Sequence, residues 1–172
     1  METLDRETIL AALERLDAEL DRRDSHAEIF LVGGAVMCLA FDARTSTKDL
    51  DGWFTEPQVV REAARQVAED MNLPSDWLND AAKAFVPERA AFEKWKTFSR
   101  LEVSVADEAT MLAMKCAAAR TAEDLGDIRF LIRRLDLRSA DEVLGLVLKF
   151  YPASRLPVRT RFMIEEVFDD GA

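Results

Sequence analysis

The pattern of apolar and polar positions divides the chain into short β-type segments and longer helical ones. Apolar or alternating runs rich in β-branched and aromatic residues predict three strands, at residues 29–32, 49–54 and 101–105. Apolar residues three or four positions apart predict helices. These helices cover residues 3–23, 35–41, 57–71, 111–120, 121–135, 139–150 and the stretch that ends at 168, with a further short helix around Trp77. Residues 87–100 fit neither pattern well.

Three of the predicted helices begin with capping patterns. Thr55 precedes Pro57 and Gln58, so we expect Thr55 to cap its helix and Pro57 to lie in the first turn. Residues 121–124 and 139–142 each place a hydroxyl residue three positions before an acidic one, which is the pattern of a capping box. These features set the predicted starts of the helices.

The order of predicted elements is α-β-α-β-α-β, followed by helices alone. This order predicts an α+β fold with a small mixed β-sheet core and a helical C-terminal half. We expect residues 1–106 to form the α/β core with its N-terminal helix, and residues 107–172 to form the helical region of one compact domain. A chain of 172 residues is long enough to bury a hydrophobic core.

Composition and charge argue against several classes of protein. Hydrophobic residues make up 49% of the chain and charged residues 33%, as in globular proteins. The formal net charge of -10 disfavours sequence-independent binding of nucleic acid, which needs a positive surface. No apolar run is long enough for a membrane span, and no signal peptide follows Met1. Cys38 and Cys116 stand in apolar helical contexts and are expected to be reduced, so we expect a cytoplasmic, bacterial type of protein.

A glycine pair and two alternating aspartates carry the candidate chemistry. Gly33-Gly34 follows the first strand, and Asp49 and Asp51 occupy alternate positions of the second, so their side chains should point the same way. Adjacent carboxylates repel each other unless a cation lies between them, and Mg2+ suits such oxygens. Glycines let the backbone approach a phosphate closely. The pattern indicates a metal–nucleotide site; the alternative is a tight turn beside two solvated charges.

These residues resemble the nucleotidyltransferase superfamily of DNA polymerase β. The likeness is closest to its small bacterial members, the minimal nucleotidyltransferases and the nucleotidyltransferase-type toxins of abortive-infection systems. Arg44-x-x-Thr47-x-Asp49-x-Asp51 is similar to the Arg/Thr/Asp-x-Asp element of that group. Lys115, Arg120 and Asp124-x-x-Asp127 are similar to its helical Lys…Asp-x-x-Asp element. Residues 77–80 resemble a segment of an uncharacterised bacterial branch, and the likeness extends over residues 29–135.

The resemblance implies a metal-dependent site. Mg2+ or Mn2+ would be held by Asp49 and Asp51, with Glu102 on a neighbouring strand as a candidate third metal ligand. The residues implied for catalysis are Asp49, Asp51, Lys115 and Asp127. The residues implied for the phosphates are Gly33, Gly34, Arg44, Thr47 and Lys115. Other interpretations stay open: Lys115 as a helix lysine that extends to solvent, Asp124 as a helix-cap residue and Glu102 as a solvent-facing strand residue.

Three functions are compatible with these residues. The first is an enzyme that transfers NMP from an NTP to a hydroxyl acceptor. The resemblance suggests that the acceptor is either a protein or an RNA such as tRNA. It also suggests a toxin–antitoxin system, in which the chain would have a cognate partner protein. The second is a binding module of the same fold, antitoxin-like or regulatory, that has no turnover. The third is a small-molecule transferase of the aminoglycoside type. Other chemistries have little support, because one histidine and two distant cysteines do not make a typical zinc site.

Overall fold

The computed structural model describes residues 3–118 and 122–169 and has an α+β fold. Within those residues, five strands form a mixed sheet in the spatial order β5-β4-β2-β7-β6, and two short strands, β1 and β3, pair separately. The strands are β1 Leu4–Asp5, β2 Ala27–Val32, β3 Ser46–Thr47, β4 Leu50–Phe54, β5 Leu78–Asn79, β6 Phe92–Thr97 and β7 Leu101–Ala106. The helices are α1 Arg6–Arg22, α2 Gly34–Leu39, α3 Pro57–Met71, α4 Glu108–Ala118, α5 Ala122–Arg134, α6 Ala140–Phe150 and α7 Val158–Asp169, with 3-10 turns at Ala81–Phe85 and Ala153–Arg155.

The chain divides into two units. The first consists of residues 3–84 and 92–106, which carry the sheet and helices α1 to α3. The second consists of residues 85–91 and the described residues from 107 onwards, which carry helices α4 to α7. Residues 85–91 therefore group with the helical unit, whereas the division drawn from the sequence assigned them to the core.

Strand β2 is the centre of the sheet in the first unit. It pairs antiparallel with β4 and parallel with β7. Because side chains alternate along a strand, one face of the sheet carries Ile29, Leu31, Leu50 and Val103, all fully buried. Helices α1 and α3 contact each other and the strands of this sheet. The apolar residues predicted to line one side of α1 are buried, which confirms the prediction: these are Ile9, Leu13, Leu16 and Leu20.

The second unit is built around α4, which contacts α5, α6 and α7. Its buried apolar residues are Met111, Leu112, Ala113, Cys116, Ile128, Leu131, Ile132, Val143, Val147, Ile164 and Val167. Residues 85–91 are attached to these helices at both ends. The N–H of Ala91 donates to Thr110 Oγ1 at 3.0 Å, and the hydroxyl of Tyr151 donates to the carbonyl of Phe85 at 2.7 Å.

Two predicted local structures are wrong. Thr55 does not cap α3: the cap position is Glu56, with φ 49° and no side-chain hydrogen bond. Thr55 Oγ1 instead accepts the N–H of Glu28 at 2.9 Å, so the residue extends the sheet. The short helix at Trp77 is absent as well, because Trp77 ends a turn and its carbonyl accepts the N–H of Leu50 at 2.7 Å as β5 begins. Both residues are bound to distant strands that local patterns do not reveal.

Other boundaries shift by a few residues. The Ser139 cap is confirmed, since its Oγ accepts the N–H of Glu142 at 3.2 Å. Helix α1 begins at Arg6 rather than residue 3, because Leu4–Asp5 forms β1 and Asp5 caps the helix. Strands β1, β3, β5 and β6 were not expected, and the predicted cap at Thr121, like Arg120, lies outside the described residues. None of the described helices has both the length and the apolar character needed to cross a membrane.

Candidate functional site

The turn between β2 and α2 runs beside the carboxylate of Asp51. Val32, the last residue of β2, pairs with Asp51 on β4. Gly33 then adopts φ 71° and ψ -149°, a conformation that is strained for residues with a side chain. A Cβ atom on Gly33 would lie 3.4 Å from Asp51 Oδ2. The glycine therefore allows the turn to pass close to this carboxylate.

The next glycine packs against the segment that precedes β4. A Cβ on Gly34 would lie 2.6 Å from Thr47 Oγ1 and 3.6 Å from Arg44 Nη1. Thr47 is buried and lies on β3, where it pairs with Leu4 of β1. The structure thus brings Arg44 and Thr47 to the same turn as the glycine pair, which is the grouping that the sequence predicted.

Asp49 lies one residue before β4, whereas the sequence predicted that it is the first residue of this strand. Its carbonyl accepts the hydroxyl of Thr47 at 3.2 Å. Burial, and after it the negative charge of Asp51, hold the pKa of the Asp49 carboxyl above its ordinary value. The negative charge of Asp51 therefore contributes to the raised pKa of Asp49, although less than burial does.

Asn79 is a site residue to which the sequence analysis gave no role. It pairs with Asp51 across the parallel strands β4 and β5. Its Nδ2 donates to Asp49 Oδ2 at 3.2 Å, and this bond partly offsets the upward shift of the Asp49 pKa. The resemblance over residues 77–80 included Asn79, but its place beside the aspartates depends on the order of the strands.

Glu102 does not lie with the two aspartates. It pairs with Glu28 on β2, whereas Asp51 pairs with Val32 on the same strand. Glu28 and Val32 are four positions apart along β2, which is about 13 Å at the usual rise of a strand. Glu102 Oε2 also forms an ion pair with Lys94 Nζ at 2.6 Å. The geometry contradicts its prediction as a third metal ligand, because the register puts it at the other end of the sheet.

Lys115, Asp124 and Asp127 form an ion-pair cluster in the second unit. Lys115 Nζ lies 2.9 Å from Asp124 Oδ1 and 2.8 Å from Asp127 Oδ2. The Lys115 side chain is 13% exposed and that of Asp127 is 6% exposed. Lys115 therefore does not extend into solvent. The catalytic roles that the resemblance implies for Lys115 and Asp127 stay predictions.

The aromatic residue nearest to the aspartates along the chain is packed against other rings. Trp53, two positions after Asp51 on β4, stacks on Phe30 with ring centroids 4.1 Å apart and planes at 10°. Phe92 meets Phe30 edge-on at 5.3 Å. These contacts give Trp53 a packing role in the sheet.

Asp49 and Asp51 are the residues of this region that could hold a metal ion. In the part of the chain that the structure describes, no group of three or more His, Cys, Asp or Glu side chains is placed to hold a metal. Asp49 and Asp51 supply two carboxylates. Mg2+ is usually held by one or two protein carboxylates, with substrate phosphates and water as the remaining ligands.

Comparison of the chain with protein-family models, with curated proteins and with solved structures finds no match. The geometry around Asp49 and Asp51, together with the motif resemblance, is therefore the basis for a functional hypothesis.

Proposed function

We propose that the first unit holds a metal–nucleoside triphosphate and that the protein is a Mg2+-dependent nucleotidyltransferase. The observation that carries this proposal is the approach of the Gly33 turn to Asp51, beside a second carboxylate, Asp49, whose pKa is raised. Arg44 and Thr47 lie at the same turn. Carboxylates for a cation and donors for phosphate are the two sets of groups that a metal–triphosphate needs.

Each residue has a defined task in this reaction. Asp49 and Asp51 would hold the cation, which neutralises charge on the phosphates. The first N–H groups of α2, at Gly34 and Ala35, have no partner within the helix and are suited to phosphate oxygens. Arg44 adds a positive charge at the same turn. An acceptor hydroxyl would attack the α-phosphorus, the bond to pyrophosphate would break, and the hydroxyl proton would pass to a base.

The second candidate is a nucleotide-binding module without turnover. Transfer needs a group that takes the proton of the acceptor hydroxyl. The strand neighbours of Asp51 are Val32 and Asn79, neither of which is a base, and Glu102 lies at the far end of the sheet. Because transfer needs a base and none of these three residues supplies one beside Asp51, this arrangement favours the binding module. The acceptor class, an RNA such as tRNA or a protein, is suggested by the motif resemblance.

A label-transfer assay separates the two candidates. The protein is incubated with each α-labelled NTP and Mg2+ or Mn2+, with total RNA and protein lysate as acceptors. Asp49→Asn/Asp51→Asn removes the proposed ligands, and Glu102→Gln is the matched control because it neutralises a carboxylate at the other end of the sheet. We expect label in one acceptor class, lost in the double variant and kept in the control.

The remaining outcomes are equally informative. Metal-dependent binding of NTP without transfer, abolished in Asp49→Asn/Asp51→Asn, would replace the enzyme with the binding module. Nucleotide binding that survives in the double variant would refute the enzyme but not the binding module. No nucleotide binding by the folded protein would refute both candidates. Loss of label in Glu102→Gln would contradict the placement of Glu102 away from the aspartates and would make it a candidate metal ligand again.

A further inference from the structure

Within the described residues, the carboxamide of Asn79 makes three hydrogen bonds. Its Oδ1 accepts the backbone N–H of Ala81 at 3.1 Å. Its Nδ2 donates to the carbonyl of Asp76 at 3.4 Å and to Asp49 Oδ2 at 3.2 Å. The side chain is thus held by the turn on both sides of it and points its remaining donor at a proposed metal ligand.

These bonds determine which end of the amide faces Asp49. A backbone N–H is a donor only, so the atom that meets Ala81 must be the oxygen of the carboxamide. The nitrogen is then the atom that meets Asp49, and it can donate but not bind a cation. A carboxylate has about four acceptor positions, so one hydrogen bond to Oδ2 leaves positions for a metal.

Asp49 needs such support more than Asp51 does. Asp51 lies within β4 and is held by pairing with β2 and with β5. Asp49 precedes the strand, and its main chain is held by the Thr47 hydroxyl. The Asn79 amide is a side-chain donor to its carboxylate. Partners that orient a ligating carboxylate commonly contribute as much to metal affinity as a ligand does.

We propose that Asn79 is a positioning residue that orients the Asp49 carboxylate and thereby sets the affinity of the site for a divalent cation. The inference rests on the proposed function, because it requires Asp49 to be a metal ligand. It adds a residue from the edge strand β5 to the site, and it explains why an amide rather than a carboxylate stands beside the two aspartates: a third negative charge would repel Asp49.

Two variants separate positioning from turn formation. Asn79→Ser keeps a side-chain oxygen that can accept the Ala81 N–H, as serine does in such turns, but its side chain is too short to reach Asp49. Asn79→Ala loses both the acceptor for the Ala81 N–H and the donor to Asp49. Asp80→Asn is the matched control, since it changes the adjacent residue, whose carboxylate pairs with Arg61 Nη2 at 2.5 Å, and leaves the Asn79 bonds in place.

The measurement is Mn2+ binding by electron paramagnetic resonance, with urea unfolding of each variant in parallel. We expect Asn79→Ser and Asn79→Ala to weaken Mn2+ binding by about 10-fold or more. Asp80→Asn should bind as the original chain does. Asn79→Ser should unfold at a urea concentration close to that of the original chain, so that the loss of affinity does not arise from unfolding.

Normal Mn2+ affinity in Asn79→Ser would overturn the proposal and leave Asn79 as a turn residue. Asp49→Asn/Asp51→Asn distinguishes this failure from that of the proposed function. If the original chain binds Mn2+ and the double variant does not, the metal site stands and only the role of Asn79 is refuted. If the double variant binds Mn2+ as the original chain does, the metal site itself fails, and the positioning role with it.

Discussion

Replacing Gly34 with alanine tests the packing that holds the candidate site together. The new Cβ would lie 2.6 Å from Thr47 Oγ1, where ordinary contact requires at least 3.4 Å. Thr47 is 6% exposed, is held in β3 and donates to the carbonyl of Asp49, so it cannot move without losing that hydrogen bond. Gly34 does not have a positive φ, so the cost arises from crowding rather than from the backbone.

The expected magnitude follows from two opposing effects. Overpacking a filled site costs about 1–3 kcal/mol, and loss of the Thr47 hydrogen bond costs about 1 kcal/mol. Alanine in a helix is better than glycine by at most about 1 kcal/mol. We expect Gly34→Ala to lower the free energy of unfolding by about 1–3 kcal/mol, the net of these terms.

A double-mutant cycle assigns the cost to Thr47. In a Thr47→Ala background the nearest remaining atom, the Cβ of residue 47, is 3.5 Å from the new Cβ, which is ordinary contact. There Gly34→Ala should be neutral or stabilising, which gives a coupling of about 2 kcal/mol. Urea unfolding of the four proteins, followed by circular dichroism, measures it. Gly145→Ala is the control, because its Cβ would meet nothing within 4 Å.

Two results would refute this reasoning. The first is a Gly34→Ala variant as stable as Gly145→Ala. The second is an equal cost of Gly34→Ala with and without the Thr47 hydroxyl. Either one would mean that the turn and the segment before β4 are not in the close contact that brings Arg44 and Thr47 to the site.

Three further predictions concern the aspartates, the core and the second unit. The pKa of the Asp49 carboxyl is raised, so without metal its contribution to stability falls as pH rises from the ordinary aspartate range through the folded-state pKa. Mg2+ needs the charged carboxylate. Added Mg2+ should therefore raise the melting temperature more at pH 7.5 than at pH 5. An equal effect at both pH values would count against Asp49 as a ligand. Trp77→Phe removes a fully buried indole that donates to the carbonyl of Ala64 at 2.9 Å, and should cost about 2 kcal/mol in urea unfolding, whereas half-buried Trp95→Phe should cost less. Lys115→Met removes the ammonium group that lies 2.8 Å from the carboxylate of buried Asp127, and should lower the free energy of unfolding by up to about 3 kcal/mol. An unchanged urea midpoint would contradict this ion-pair assignment.

Helices were predictable because their patterns are local. Each apolar stripe repeats within one segment of chain, so its buried side can be read without knowledge of its partner. The residues of α1 and the cap at Ser139 follow this rule. Thr55 and Trp77 do not, because their hydrogen bonds go to Glu28, to Ala64 and to Leu50, which are between 13 and 27 residues away along the chain.

The sequence alone determined the α+β fold class and the local part of the candidate site. Gly33, Gly34, Arg44, Thr47 and the two aspartates lie within one stretch of 19 residues, so their spacing along the chain already implied that they meet. Only the tertiary structure decided which other strands contribute. Strand order places Asn79 beside Asp51, and strand register places Glu102 four positions away from it. Order and register arise from the packing of segments distant in sequence, and the pattern of any single segment does not contain them.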